Sequence, residues 1–176
     1  RGDAAMKIWM AVYTKPRHEK MTYKYLCEKK IKTYLPLIKV KRKWSDRYQW
    51  IEKPMFTSYI FVCSEKNKCL KILQTYGVHH IIKIGGKITP IRKSEIEGIR
   101  MMIDGGLNPE PADYFVLGDK VEIIGGPLKG MTGLVSRIRG QDYFLLKINT
   151  IQHAIQCQIE RRWLKLMKKK TQIIAV

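Results

Sequence analysis

The chain has 176 residues, which suits one medium-sized domain or two small ones. It carries 34 lysines and arginines against 15 acidic residues, and a formal charge of +19 calls for a polyanionic partner. Nucleic acid is the first candidate, an anionic membrane surface the second, and a merely solvated surface the third. No apolar run reaches the ~20 residues that cross a bilayer. The four cysteines form no C-x-x-C pair, which argues against a zinc site or a disulfide scaffold and favours a reducing cytoplasm.

The N-terminal half alternates strands and helices. Residues 1–6 are interpreted as a tag or a disordered start, because residues 1–5 lack the apolar core of a secretory signal and Met6 suits a natural first residue. Residues 7–103 predict an antiparallel sheet with packed helices, a split βαβ arrangement of the α+β class. The predicted strands cover residues 7–13, 33–40, 54–63 and 78–84.

Three helices accompany these strands. One is predicted over residues 17–30, after Pro16. A second is predicted over residues 65–76, with Ser64 as its N-cap and with Leu70 and Leu73 on its inner face. A third opens at a capping box formed by Ser94 and Glu97. The third helix presents Ile96, Ile99 and Ile103 at helical spacing.

Residues 41–53 are dense in charge and tryptophan and predict a protruding hairpin that turns at Ser45-Asp46. Cations interleaved with aromatic rings suit nucleic acid, through phosphate pairing and base stacking. The alternative is a solvated hairpin whose tryptophans cover the sheet. A second basic group stands at the start of the first helix, where the helix dipole disfavours cations, so either function or tolerance explains it. The candidate nucleic-acid contacts are Arg17, His18, Lys20, Lys41, Arg42, Lys43 and Arg47.

The C-terminal half differs in pattern. Residues 104–113 hold two glycines and two prolines and predict a linker. Residues 114–167 contain short strands separated by glycine-rich or polar turns, with no long helical pattern, and predict a small β-barrel of five or so strands. Residues 168–176 form a basic tail, which is interpreted as a solvated end or an RNA contact.

Residues 118–135 carry the most informative motif. Val121 alternates with polar neighbours as a half-buried strand requires, and the glycines allow a tight loop with positive φ. The segment resembles the KOW motif, which implies a small SH3-like β-barrel that binds a partner in transcription or translation. The glycines are interpreted as scaffold. The matching positions are Gly118, Asp119, Val121, Gly126, Pro127, Gly130 and Gly133.

The N-terminal half resembles the N-terminal (NGN) domain of the NusG family. Residues 8–20 (IWMAVYTKPRHEK) are similar to its opening, residues 54–62 (PMFTSYIFV) to its central strand, and residues 78–90 to its next strand and turn. Within the family, the TKPRHEK run, Tyr34-Leu35-Pro36 and Trp44-Ser45-Asp46-Arg47 are most like the UpxY group, operon-specific NusG paralogues of the Bacteroides lineage.

This resemblance implies a transcription elongation and antitermination factor. Such proteins bind the clamp helices of RNA polymerase through the N-terminal domain and suppress pausing or termination, here on specific operons such as those for capsular polysaccharide. The hairpin region then lies near upstream or non-template DNA, with nascent RNA as a further contact. The KOW domain recruits a ribosomal protein or a Rho-like partner. The resemblance implies a cytoplasmic monomer with no cofactor, no metal and no membrane partner.

The resemblance also assigns residues. The polymerase-binding patch maps onto Trp9, Tyr13, Phe56 and Tyr59. Strand alternation gives Trp9 and Tyr13 the same parity but separates Phe56 from Tyr59, so at least one of the four is expected in the core. The family usually has Pro-Gly where this chain has Thr57-Ser58. Ile151 matches the position where housekeeping members carry an aromatic residue for their ribosomal-protein partner.

The sequence offers little support for catalysis. It contains no glycine-rich phosphate loop and no nucleophile elbow, and its acidic residues are scarce. His79 and His80 are adjacent, which does not suit binding of one metal ion from a helix. The chain is therefore predicted not to be an enzyme. The alternative to a polymerase-bound factor is a ribosome- or RNA-binding KOW protein, which needs only the barrel and the charge.

Overall fold

The computed structural model describes residues 6–114 and 118–167; residues 1–5 of the predicted start (residues 1–6) and the whole basic tail lie outside this range. The helices in the described part are α1 (Glu19–Glu28), α2 (Cys69–Leu73) and α3 (Lys93–Asp104). The strands of the N-terminal half are β1 (Ile8–Thr14), β2 (Lys32–Tyr34), β3 (Leu37–Lys43), β4 (Tyr48–Pro54), β5 (Tyr59–Ser64), β6 (Val78–Ile81), β7 (Lys83–Ile84) and β8 (Lys87–Ile88). The strands of the C-terminal half are β9 (Glu110–Ala112), β10 (Asp119–Ile123), β11 (Thr132–Ile138), β12 (Gln141–Ile148), β13 (His153–Gln158) and β14 (Leu164–Leu166).

The N-terminal sheet is antiparallel, with the strand order β2-β5-β1-β6. Because successive side chains of a strand point to opposite faces, β1 divides its apolar residues between two cores. Met10 and Val12 pack with Leu26 of α1 and Ile72 of α2. Trp9, Ala11 and the facing strand residues pack on the other side, against α3. The predicted antiparallel sheet with packed helices is confirmed.

Helix α2 differs from the prediction for residues 65–76. Strand β5 continues through Ser64, which pairs with Ile8, so Ser64 cannot cap a helix. A 3-10 turn over Lys66–Lys68 follows, and α2 is only five residues long. The later start turns Ile72 into the core and leaves Leu70 and Leu73 exposed, so the predicted inner face was wrong.

Helix α3 buries Ile96, Ile99 and Met102. The burial of Ile96 and Ile99 was predicted from the helical spacing of the isoleucines. Its capping residues lie two positions before the predicted ones. The N-cap is Arg92, whose backbone N–H donates to the Glu95 carboxylate at 2.9 Å. Glu97 is exposed instead and forms an ion pair with Lys93 at 3.4 Å.

We call the N-terminal sheet and the helices that pack on it the N-terminal unit. Two hairpins extend from it. Strands β3 and β4 pair from Leu37↔Pro54 to Lys43↔Tyr48, and they confirm the predicted hairpin. Strands β7 and β8 form a smaller hairpin closed by Gly85 and Gly86, with φ of 58° and 75°. Positive φ at both central residues is what a two-residue type I′ turn requires, and glycine adopts it without steric cost.

The C-terminal sheet has the strand order β14-β10-β11-β12-β13-β9 and is antiparallel throughout. Its two end strands do not pair with each other, so closure into the predicted barrel is not shown in the described residues. The segment predicted as linker supplies both the end of α3 and strand β9. The latter pairs Ala112 with Ala154 and Glu110 with Gln156 on β13.

The C-terminal sheet and its loops form the C-terminal unit. The N-terminal and C-terminal units pack against each other through one continuous apolar cluster. It joins Trp9, Phe56 and Ile99 of the N-terminal unit to Phe144 and Leu146 of the C-terminal sheet. Gly98 of α3 lies close to the C-terminal sheet, because a Cβ atom placed there would meet the Met131 side chain and would lie 2.8 Å from Leu146 Cδ2. No helix in the described part of the chain is long and apolar enough to cross a membrane.

Candidate functional site

The four residues of the predicted polymerase-binding patch lie on the α3 side of the N-terminal sheet. We call Trp9, Tyr13, Phe56 and Tyr59 the aromatic patch. Trp9 and Phe56 are 8% and 2% exposed, whereas Tyr13 and Tyr59 are half-buried. Tyr13 and Tyr59 are cross-strand partners whose rings meet edge to face at 5.3 Å. The expectation that at least one member lies in the core is confirmed, since Trp9 and Phe56 both belong to the continuous cluster.

His153 of the C-terminal sheet covers part of the aromatic patch. Its ring meets the Phe56 ring at 5.8 Å and the Tyr59 ring at 5.3 Å, both edge-on. Nδ1 of His153 lies 2.6 Å from the Ile151 carbonyl oxygen, which can only accept, so this nitrogen donates its proton. Ile151 itself is buried beside this contact. Sequence reasoning missed His153, because its role depends on a contact between residues far apart in the chain.

The exposed side of the patch carries two further histidines. The His80 ring stacks on Tyr13 at 5.2 Å, and the His79 ring meets it at 6.0 Å. Burial, followed by the neighbouring His79, lowers the pKa of His80, and burial raises the pKa of Tyr59. His80 and Tyr59 are therefore neutral at pH 7, and this part of the surface suits an uncharged, aromatic contact.

Ser58 shapes the corner between Phe56 and Tyr59. Its φ of 64° is a left-handed backbone conformation, which glycine adopts more easily than other residues. This agrees with the glycine that the NusG family usually has at this position. Its N–H donates to Glu19 Oε1 at 2.8 Å, and its carbonyl oxygen accepts from the Thr14 N–H at 2.8 Å. The buried Glu19 carboxylate therefore holds the bend that positions both rings.

The β3–β4 hairpin is exposed along its length, and its tryptophans do not cover the sheet. Trp44, Tyr48 and Trp50 are 54%, 59% and 66% exposed. Cross-strand partners share a face, so Lys41 lies beside Trp50, and Lys41 Nζ stands 4.6 Å from the centre of the Tyr48 ring. Lys43 shares this face, and Arg42 lies on the other. The hairpin thus presents rings and cations together.

The second basic group lies next to the hairpin. Lys20 Nζ donates to the Glu52 carbonyl oxygen at 2.8 Å, which ties the start of α1 to β4. His18 directly precedes α1, and Arg17 has φ of 62°. Tyr76, which sequence reasoning missed, is exposed and packs on His18 at 5.7 Å. The structure therefore joins the two predicted basic groups into one surface.

The KOW-like motif residues occupy positions that constrain the backbone. Val121 is fully buried. A Cβ atom on Gly133 would lie 2.5 Å from the Phe144 ring and 2.7 Å from the Leu145 carbonyl oxygen. Gly126 has φ of 72° against the Trp163 ring, and Gly130 has φ of 88°. The N–H of Gly130 donates to the Ile123 carbonyl oxygen at 2.8 Å. These contacts support the scaffold interpretation.

The remaining motif residues lie around the same loop. Gly118 packs against the Val135 backbone, where a side chain would clash. Asp119 is exposed at the start of β10, and Pro127 lies against Gly105 at the end of α3. Within residues 6–114 and 118–167, no three histidine, cysteine or acidic side chains are grouped so that they could hold a metal ion.

Comparisons with known proteins agree with this architecture. A NusG family model, described as "Transcription termination factor nusG", matches residues 7–100, more than half of the chain. The chain is also similar to the solved structure described as "Domain interaction in Thermotoga maritima NusG". That match has a TM-score of 0.51 at 18% identity and covers 94% of this chain and 100% of that one. At this identity the likeness shows the fold alone.

Two conformations of the MjSpt4:Spt5 complex also match, with a TM-score of 0.31 and 19% identity. They cover 92% of this chain and 99% and 98% of those chains. The family match, over residues 7–100, spans the N-terminal sheet, the aromatic patch and both basic groups.

Proposed function

Because this chain belongs to the NusG family of transcription factors, we propose that it is an elongation and antitermination factor that binds the clamp helices of RNA polymerase. It suppresses pausing or termination on specific operons, such as those for capsular polysaccharide, as a cytoplasmic monomer. The observation that carries the proposal is the family match over residues 7–100. The operon-specific role rests on the resemblance of the TKPRHEK and WSDR runs to the UpxY group.

The aromatic patch is the proposed polymerase-binding surface. Aromatic side chains supply large contact areas at a low cost in conformational entropy and are common at interface hot spots. Tyr13 and Tyr59 are half-buried and reach solvent, while Trp9 and Phe56 are buried beneath the surface. The neutral states of Tyr59 and His80 keep the cost of removing this surface from water low.

The C-terminal unit is proposed to be a KOW domain of the SH3-like barrel type that recruits a ribosomal protein or a Rho-like partner near Ile151. In the structure His153 lies on Phe56 and Tyr59, and Ile151 is buried at the same junction. Full access to the aromatic patch therefore requires the C-terminal unit to move. The same movement uncovers the 3-10 turn that carries Ile151, between β12 and β13, so both binding events are coupled to one opening.

The basic surface formed by the hairpin and the start of α1 is proposed to contact upstream or non-template DNA, with nascent RNA as a further ligand. Phosphates pair with the cations, and unpaired bases stack on Trp44, Tyr48 and Trp50. The tie between Lys20 and Glu52 supports the use of both groups by one strand of nucleic acid.

Replacement of Tyr13 by alanine tests the proposed function. We expect the variant to bind core RNA polymerase at least about fivefold more weakly, because it removes an aromatic contact at the centre of the patch. The measurement is co-elution with core polymerase on size exclusion, together with pausing in transcription on a paused template. Tyr23→Ala is the matched control, since Tyr23 is exposed on α1 at the opposite face of the sheet. If the wild-type chain fails to co-elute at moderate salt, the polymerase assignment is wrong.

Replacement of Trp50 by alanine tests the nucleic-acid surface. Base stacking on an aromatic side chain contributes ~1–3 kcal/mol per base, so binding of a single-stranded oligonucleotide should weaken at least about fivefold. Fluorescence anisotropy of a labelled strand measures this, with Tyr23→Ala as the control. Equal affinity of wild type and Trp50→Ala would contradict base stacking on the hairpin. Tight, steeply salt-dependent binding to ribosomal RNA without polymerase binding would favour the alternative of a ribosome- or RNA-binding KOW protein.

A further inference from the structure

A second apolar surface lies between α2 and the β7–β8 hairpin. Helix α2 packs on the α1 side of the N-terminal sheet, through Ile72, and therefore on the face opposite the C-terminal unit. A cavity of about 460 Å³ lies here and is lined by Cys69, Leu73, His80, Ile82, Lys83 and Ile88. We call this cavity and its rim the α2 groove.

The groove leaves aliphatic side chains in water. Leu73, which lines the cavity, is 45% exposed, and Ile82 and Ile88 beside it are half-buried. The exposure of Leu73 follows from the phase of α2, since Ile72 takes the core position and turns its neighbour outward. Burial of aliphatic surface is favourable, and an exposed apolar patch with a polar rim is typical of an interaction site.

The rim of the groove is basic. Lys83 lines the cavity, and Lys66 stands in the turn that precedes α2. In the part of the chain that the structure describes, neither ammonium group has a carboxylate within 4.0 Å. The neighbouring Glu65 forms an ion pair with Lys68 at 2.9 Å. Lys83 and Lys66 both lie close enough to Cys69 to lower the pKa of its thiol, although burial outweighs them and raises it.

We propose that the α2 groove binds an acidic amphipathic segment of a partner protein, with apolar side chains in the groove and carboxylates on the lysine rim. Charge complementarity identifies the occupant, because Lys66 and Lys83 are two cations beside the cavity with no carboxylate partner. A second copy of this chain carries the same charge of +19 and is repelled. Nucleic acid lacks apolar side chains to fill an aliphatic cavity, and a planar bilayer surface does not enter a concave one.

This surface adjoins the aromatic patch at His80, which lines the groove and stacks on Tyr13, but it includes none of the four residues of the patch. The patch lies on the sheet face that packs against α3, and α2 packs on the other face. The proposed partner therefore binds without competing with the C-terminal unit for Phe56 and Tyr59. This goes beyond the proposed function, since it gives the N-terminal unit a second protein contact whose occupancy does not require the two units to separate.

A labelled peptide tests the proposal on the full chain. The probe is an acidic peptide of about 14 residues, with leucines at i, i+3, i+4 and i+7 and glutamates elsewhere, and a scrambled peptide of the same composition is its counterpart. We expect anisotropy to show binding of the first peptide only. Leu73→Ser and Lys83→Glu should each weaken it at least about fivefold. Leu166→Ser and Lys165→Glu, on the distant strand β14, are matched controls that should not.

Alkylation of the cysteines gives a second readout that does not depend on a variant. Cys69 lines the groove and Cys27 is exposed on α1, so the peptide should slow modification of Cys69 and leave that of Cys27 unchanged. Equal binding of both peptides, or no protection of Cys69, would overturn the proposal. So would binding to vesicles of phosphatidylserine and phosphatidylcholine that is lost in Leu73→Ser, because the groove would then serve a lipid surface.

Discussion

Replacing Gly98 by glutamate is expected to separate the two units and to tighten binding to core RNA polymerase by about ten- to hundredfold. The apparent affinity for a ligand is the intrinsic affinity multiplied by the fraction of molecules in the competent state, so releasing a covered surface raises the apparent affinity. Gly98 faces Met131 and Leu146 across the junction, and a long charged side chain does not fit there. The substitution leaves Tyr13 and Phe56 unaltered, and a non-glycine residue favours helix α3 itself by about 0.5–1 kcal/mol.

The controls for this prediction separate size from charge. In Gly98→Ala the added Cβ meets the far ends of the Met131 and Leu146 side chains, which can move, so the units should stay docked. Glu97→Ala changes the charge of the neighbouring exposed residue and should have no effect. Small-angle scattering reports separation and a fluorescence titration reports affinity. Unchanged or weaker polymerase binding by a chain whose units have separated would disprove that the C-terminal unit covers the docking surface.

Replacing Gly133 by alanine is expected to destabilise the C-terminal sheet by about 2–4 kcal/mol, in the range of severe core substitutions. The new Cβ would meet the Phe144 ring at 2.5 Å and the Leu145 carbonyl oxygen at 2.7 Å. The ring is fully buried and the carbonyl belongs to the backbone of β12, so neither can yield cheaply. Overpacking of this kind forces shifts in both strands.

Gly130→Ala is the matched control for this substitution. Gly130 has φ of 88° but nothing within 4 Å of the added atom, so only backbone strain of about 1–2 kcal/mol is expected. Urea denaturation, followed by tryptophan fluorescence, compares the two. A smaller loss of stability in Gly133→Ala than in Gly130→Ala would show that the contact with Phe144 relaxes and that close packing is not what requires glycine in the motif.

The predictable parts of the fold are those that local patterns determine. Local sequence patterns were sufficient to predict strand β1 and the exposed hairpin that turns at Ser45-Asp46. Helix α2 was placed wrongly because residues 64–68 are compatible with either a cap or a continuing strand. The pairing of Ser64 with Ile8 decides between them. Such a pairing joins residues more than fifty positions apart, and local propensity contains no information about it.

The candidate site likewise contains some residues that local patterns point to and others that only long-range contacts bring into place. The sequence identified the four members of the aromatic patch and the basic hairpin, but neither Tyr76 nor His153 stood out from its neighbours. The bend at Ser58 was also out of reach, because it depends on the distant Glu19 carboxylate. Sequence reasoning did not predict strand β9, because its segment contains two prolines, which disfavour a strand. The strand forms by pairing with the edge of β13, whose backbone N–H and C=O groups would otherwise have no strand partner on that side.

Strand β9 also sets how far the C-terminal unit can travel. With β9 held on β13, only residues 105–109 separate the end of α3 from the C-terminal sheet. A fully extended chain spans at most ~3.3–3.6 Å per residue, so this tether reaches less than about 20 Å. A tether this short holds a released unit at an effective concentration in the mM range, and it re-docks unless something else occupies the vacated surface. Under the proposed function, the open state therefore lasts only as long as the polymerase or the partner of the C-terminal unit remains bound.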